Sequence, residues 1–260
     1  KKMNLFSKLV KIDAHVNFIP SKYYTLTKYA NKTGFDYIDE ILKHKNESNE
    51  YLRQITFEQL LLKHYSDDKV KFILDSCGYY GDLKIQNAYD ALKVFKYSVR
   101  TDKHYYIMKN GFSQLINEMI HVVKLKHMCL LNQFCKNIYY NDGVFTLNIN
   151  NKKFLCQNII LAIPKENLLN LGYLKPYFPL LNSIYCIPLL RIYSICKKED
   201  VWFHGLKKIT TNNKLKYVIP INPEKGIIMT SYTDHTNVNY WQQKCNNKKE
   251  LDFALKKNIQ

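Results

Sequence analysis

The chain is 260 residues long, 46% hydrophobic and 23% charged, which excludes a globally disordered polymer and allows a sizeable core in one large or two smaller domains. A formal net charge of +17 attracts nucleic acid, anionic membranes or acidic proteins. The basic residues, however, come in pairs such as Lys152-Lys153 and Lys207-Lys208, with no long basic run and no nucleic-acid-reading motif, so a solvated lysine-rich surface is the favoured reading.

In chain order, the stretch up to about residue 125 reads as helical. Thr56, Phe57, Glu58 and Gln59 have the spacing of a capping box ahead of Leu60, Leu61 and Leu62. Ser66 is placed to cap a helix in which Val70, Ile73, Leu74 and Cys77 share a face, and Gly78 sits where that helix would stop. Asp82 is expected to open a further helix running through Phe95, with Ile85, Tyr89 and Leu92 on the same side. After an Asn110-Gly111 turn, Leu115, Ile116, Met119, Ile120 and Val123 form an apolar stripe that reads as core.

The character changes near residue 128. Residues 134–140 and 144–149 read as strands joined at Asn141-Asp142-Gly143, and 154–157 as a third short strand after Asn150-Asn151. Residues 159–163, Ile-Ile-Leu-Ala-Ile, form a continuous apolar run closed by Pro164, which suits a strand buried on both faces of a sheet. Residues 189–196 read as a strand, 216–221 and 227–232 as paired strands around Asn222-Pro223-Glu224-Lys225-Gly226, and the chain from about Val238 as helix. A helical block, a meander and a mixed block argue for an α/β or α+β fold with two interleaved domains.

Seven cysteines, an odd number with no C-x-x-C pair, argue against a disulfide framework or zinc site and for small buried thiols in a reducing compartment. His104, His121 and His127 show no metal-ligand spacing, and no metal is expected. Asn31-Lys32-Thr33 and Asn46-Glu47-Ser48 match glycosylation sequons, a short pattern that chance often produces. No signal peptide is evident, and no apolar run is long enough to span a bilayer. The chain begins with Lys1 and is expected to stop inside a helix, so it reads as a piece of a longer protein.

Four stretches, in this order, resemble the flavin-containing monoamine and polyamine oxidases, including their histone-demethylase branch. They are Tyr105 to Phe112 with its glycine turn; the meander and apolar run from 134 to 163, ending in Ala162-Ile163-Pro164; Pro188 to Cys196 followed by Trp202-Phe203; and 217–221 with 226–234 and Tyr240-Trp241. The last stretch is especially similar to amine-oxidase-like proteins of large DNA viruses. The resemblance implies residues 1–125 as a mainly helical part of a substrate domain, 126–170 as the meander and buried strand of a partial Rossmann-like FAD domain, and 171–260 as substrate-domain strands and helix. FAD is the implied cofactor and a small amine the implied substrate.

By the same resemblance, the Cys135 backbone would approach the adenine, and Ala162, Ile163 and Pro164 would lie beside the cofactor. Arg191 would stand where the family usually places a lysine that holds a water near the flavin; it is read equally as an ordinary strand residue. Arginine stays protonated and is bulkier, so it cannot copy an amine that shifts its protonation. No G-x-G-x-x-G occurs in the chain, and the family's C-terminal flavin segment has no counterpart. Trp202 and Trp241 are expected in the core, and Asp234 as the cap of the following helix. Two functions remain: an FAD-dependent amine oxidase, and a catalytically silent protein of that fold serving as a scaffold or virion component, whose positive charge suits an acidic protein or nucleic-acid surface.

Overall fold

A computed structural model of the chain describes residues 9–13, 15–78, 80–98, 104–123 and 130–259, so that His127 and Cys129 lie outside the described residues. The chain folds as two units, one made of residues 11–106 and 187–260, the other of residues 1–10 and 107–186.

The chain opens with strands β1 (Leu9–Ile12) and β2 (Asn17–Phe18). Helices α1 (Gly34–His44), α2 (Asn49–Gln54), α3 (Phe57–His64), α4 (Asp67–Cys77), α5 (Tyr80–Lys84) and α6 (Ala88–Tyr97) follow. Each capped start has a local cause. Thr33 and Asp36 form a capping box on α1, and Thr56 and Gln59 form the expected one on α3, where Thr56 Oγ1 accepts from the Gln59 amide at 3.2 Å. Ser66 precedes α4, but its side chain makes no cap bond; its hydroxyl lies 3.5 Å from the Tyr29 hydroxyl instead. Gly78 ends α4 in the left-handed region, φ 77°.

The helix expected from Asp82 through Phe95 is in fact two. Asn87 accepts from the Asp90 amide and starts α6, while the Phe57 amide donates to Gln86 O and the Ala88 amide to Ile55 O. Ile85 and Gln86 close a turn onto Gly81 O, and Asn87 bridges Thr56, so the chain leaves the helix there and is tied to the start of α3. The helices bury Tyr37, Ile38, Leu52, Phe57, Leu60, Leu61, Phe72, Ile73, Ala91, Leu92 and Phe95 in one cluster, with Phe57 stacked on Phe95 at 5.5 Å. Each such large side chain contributes about 1.5–3 kcal/mol by leaving water.

Strand β3 (Tyr105–Met108) pairs with β1 and leads through Gly111 (φ 81°) into α7 (Ser113–Val123). The apolar stripe of α7 is not core as expected: Ile116 is 54% and Met119 48% exposed. Strands β4 (Cys135–Asn141), β5 (Val144–Ile149) and β6 (Lys152–Cys156) form an antiparallel meander. Asp142 (φ 49°) and Gly143 (φ 79°) make the two-residue turn between the paired residues Asn141 and Val144.

Residues 159–163 correct the sequence reading. No described strand pairs with them, Ile160 is 92% exposed, and Ala162, Ile163 and Pro164 are exposed too. An apolar run records a preference for burial, but a strand also needs a hydrogen-bonding neighbour. Helices α8 (Lys165–Leu169) and α9 (Phe178–Ser183) complete this unit.

The remaining strands are β7 (Leu189–Ile195), β8 (Ile209–Thr210), β9 (Tyr217–Asn222) and β10 (Ile227–Asp234). They form a sheet in the order β2-β8-β9-β10-β7, parallel only between β2 and β8. Helices α10 (Thr236–Cys245) and α11 (Lys248–Ile259) follow it. Alternation along the strands separates two faces. Ile192, Val218 and Ile228 join a core containing Phe203, Trp241, Ala254 and Leu255, and Trp241 Nε1 donates to Lys214 O at 2.8 Å. On the other face, Leu189, Arg191, Tyr193 and Ile195 are exposed.

Trp241 is buried as expected, whereas Trp202 is 52% exposed and packs edge-on against buried Phe203, which takes the interior place. Trp241→Ala is therefore expected to cost about 3–5 kcal/mol in urea unfolding, and Trp202→Ala less than about 0.5 kcal/mol. Equal losses at both positions would contradict this assignment of the core.

Candidate functional site

The open face of the five-stranded sheet meets the turn between α4 and α5, and a pocket of about 180 Å³ forms there. Its lining comprises Gly78, Ile187, Leu189, Tyr217, Tyr232, Thr233 and Asp234. Strand register explains the arrangement: Tyr232 pairs directly with Tyr217 on one side and with Arg191 on the other. The Tyr217 and Tyr232 rings lie 5.7 Å apart, and the Arg191 guanidinium sits 4.7 Å from the Tyr232 ring centroid.

The turn is held to the sheet by bonds that only small residues permit. Tyr217 Oη donates to Cys77 O at 2.5 Å, and Thr210 Oγ1 donates to Ser76 O at 2.7 Å. A Cβ on Gly78 would lie 2.7 Å from Tyr217 Cε2 in a backbone already at positive φ. The Gly81 amide donates to Asp234 Oδ2 at 2.7 Å, and a Cβ on Gly81 would lie 2.6 Å from Ile187 Cδ1. Asp234 thus serves α5, not the helix that follows it as the sequence suggested; α10 starts after His235 at φ 52° with no side-chain cap bond. Gly81 and Thr233, whose buried Oγ1 has no hydrogen-bond partner, were not singled out from the sequence. Close backbone approach leaves no local signal beyond the glycine itself.

The electrostatics are mixed. Burial pushes the Lys216 amine down, while the nearby Asp75 and Asp234 carboxylates push it up; its Nζ lies 4.0 Å from Asp75 Oδ1. Lys208, pushed down by burial, sits 4.6 Å from the Tyr217 ring centroid. Arg191 is pushed further up by its hydrogen bond to Tyr232. Both rings of the pocket therefore already carry a cation.

The other sequence candidates lie in the second unit. Cys135 begins the edge strand β4, its thiol pushed up by burial and 3.7 Å from Asn137 O. Ala162, Ile163 and Pro164 form the exposed run described above. The structure joins Arg191 to Tyr232 and places Cys135 with Ala162, Ile163 and Pro164 in one unit.

A second hollow of about 270 Å³, lined by Glu40, Ile41, His44, His64 and Tyr65, has three of its polar groups committed. Glu40 binds Lys32 and accepts from Tyr65 Oη at 2.9 Å, and His64 Nε2 lies 3.0 Å from Glu47. Among the described residues no cluster of His, Cys, Asp or Glu is arranged to hold a metal ion, and no helix is long and apolar enough to cross a membrane.

No family model and no curated protein matches the chain. Solved structures do. A double mutant of putrescine oxidase, from a redesign of its cofactor binding, is 12% identical with a TM-score of 0.62, covering 90% of this chain and 61% of that one. Wild-type putrescine oxidase bound to putrescine gives 12% identity and a TM-score of 0.59, with the same coverage of 90% and 61%. A protein from Exiguobacterium sp. 255-15 that carries the provisional name protoporphyrinogen oxidase gives 12% identity and a TM-score of 0.61, covering 98% of this chain and 66% of that one. The chain thus has the mixed α/β fold of the flavin amine oxidases and spans 61% of the length of the putrescine oxidase structures.

A dinucleotide cofactor needs a strand-to-helix turn whose glycines let the pyrophosphate reach bare backbone. The chain has 8 glycines, none in that pattern. The turn from β3 to α7 carries a single glycine, Gly111, followed by Phe112 at 67% exposure. The residues present therefore do not fit a whole FAD molecule, because its phosphates find no cradle among them.

Gly81→Ala is expected to destabilise the protein by about 1–3 kcal/mol, since Ile187 and Asp234 must both move. Gly172→Ala, where a Cβ meets nothing within 4 Å, is expected to change stability by less than about 0.5 kcal/mol. Thermal unfolding of the two variants checks this, and a silent Gly81→Ala would remove the tight seat of Asp234.

Proposed function

We propose that the chain is the substrate-binding part of a flavin-dependent oxidoreductase that takes a primary or secondary amine, polyamines included, to an imine while O2 is reduced to hydrogen peroxide. The observation that carries this reading is an open aromatic sheet face beside a small pocket, in a chain with the flavin amine oxidase fold. The net reaction balances: the amine loses two electrons and two protons, one from carbon and one from nitrogen, and O2 gains both. Ile187 and Leu189 would hold the carbon chain, the Tyr232 ring would orient it against the buried Tyr217 ring, and Asp234 would form the polar end. Arg191 would position the substrate and cannot move a proton, because a guanidinium stays charged.

Cys135, Ala162, Ile163 and Pro164 are the proposed residues beside FAD, and no step of flavin chemistry is assigned to them. The similarity to amine-oxidase-like proteins of large DNA viruses belongs to the same proposal and rests on the sequence pattern of residues 217–221 with 226–234 and Tyr240-Trp241.

One observation favours a second reading. The missing glycine pattern, with a fixed cation at Arg191, suits a silent relative that acts as a scaffold. Its net charge of +17 would then face an acidic protein or nucleic acid.

The absorbance of the protein isolated from its native source separates the two. The oxidase reading expects flavin bands at roughly 370 and 450 nm, bleached without oxygen by an amine, and amine-dependent hydrogen peroxide in air. A colourless protein that takes up no added FAD would contradict it and leave the scaffold reading.

A further inference from the structure

We propose that Arg191 is a specificity-determining residue that binds a carboxylate, so that the ligand of the open sheet face carries both an amine and a carboxylate. This rests on the reading that this face is the substrate side, and it narrows the substrate.

Arg191 lies in the middle of β7, on the open face, with an exposed side chain. Its guanidinium is placed by the Tyr232 ring of the neighbouring strand, and Tyr193 stands two residues along the same face. Among the described residues no carboxylate lies within ion-pair distance of it. A planar cation held in place without an acidic partner is prepared for bidentate contact with a carboxylate.

The surroundings point the same way. The second pocket ring, Tyr217, carries Lys208 at 4.6 Å. Aromatic faces that already hold cations are poor places for another ammonium group. The acid of the pocket, Asp234, accepts from the Gly81 amide and is close enough to Lys216 to raise its pKa. Lys216 also has Asp75 at 4.0 Å, so Arg191 and Lys208, each set over a pocket ring, are the cations without an acidic partner among the described residues, a field that disfavours a bare diamine and admits a zwitterion.

Polarity along the sheet also suits such a molecule. Tyr232 and Asp234 are alternate residues on β10, opposite Arg191 and Leu189. Their side chains share a face and stand roughly 7 Å apart along the strand. A ligand lying along this line meets a guanidinium at one end and a carboxylate at the other.

Calorimetric titration of the full chain with ornithine and with putrescine tests the proposal, because these two probes differ by one carboxylate. Ornithine is expected to bind at least about tenfold more tightly, the effect of one charge-assisted bond. Arg191→Met is expected to erase that preference by weakening ornithine binding more than putrescine binding, and Arg191→Lys to restore part of it. If Arg191→Met fails to fold, Arg191→Lys decides alone, since it keeps the charge and loses the fork. Equal binding of both probes, or a preference for ornithine that survives both variants, would overturn carboxylate recognition and leave the amine site standing. No binding of either probe would overturn both.

Discussion

The left-handed turn at Gly78, pressed against the Tyr217 ring, is the constraint on which the rest of the larger unit depends. It ends α4 and turns the chain towards α5, where the Gly81 amide reaches Asp234. Two side chains of the sheet, Tyr217 and Thr210, donate to the last carbonyls of α4, at Cys77 and Ser76, which the helix itself leaves without partners. The helical cluster and the sheet are thereby fixed to each other by buried hydrogen bonds as well as by apolar packing. A side chain at Gly78 would cost both the turn and the contact, for its φ is positive and its Cβ position is filled by the ring.

From that tie follows the asymmetry of the sheet. One face is closed by Trp241, Phe203 and the residues of α11, while the other presents exposed Arg191 and Tyr193 and half-buried Tyr232 beside a pocket whose floor includes the buried Tyr217. A sheet face that leaves Tyr193 exposed beside half-buried Tyr232 is a surface that binding of a ligand would cover, which makes it a candidate for ligand binding. The cations stacked on its rings give it a charge pattern of its own.

Local chemistry was legible in the sequence wherever the cause is local. The capping box at Thr56, the stop at Gly78 and the Asp142-Gly143 turn each need a few adjacent residues and appear as expected. The order of strands and turns also pointed to the mixed α/β fold that the structural likeness bears out. What failed depends on partners distant in sequence. The break at residues 85–87 is made by bonds to residues 55 and 57, and the run at 159–163 has no paired strand among the described residues. Trp202 and Trp241 are equally apolar, and only packing separates the exposed one from the buried one. At the site, Arg191 was visible as a departure, but the bond between Gly81 and Asp234 spans 153 residues and had no sequence signal.

The central claim is that the open face around Tyr217, Tyr232 and Asp234 is a small-molecule site. Hydrogen exchange of the full chain, with and without saturating putrescine or ornithine, measures this most directly. The account predicts slowed exchange confined to residues 78–84, β7 and β10. Protection appearing instead around Glu40, His44 and His64, or nowhere in the chain, would contradict it.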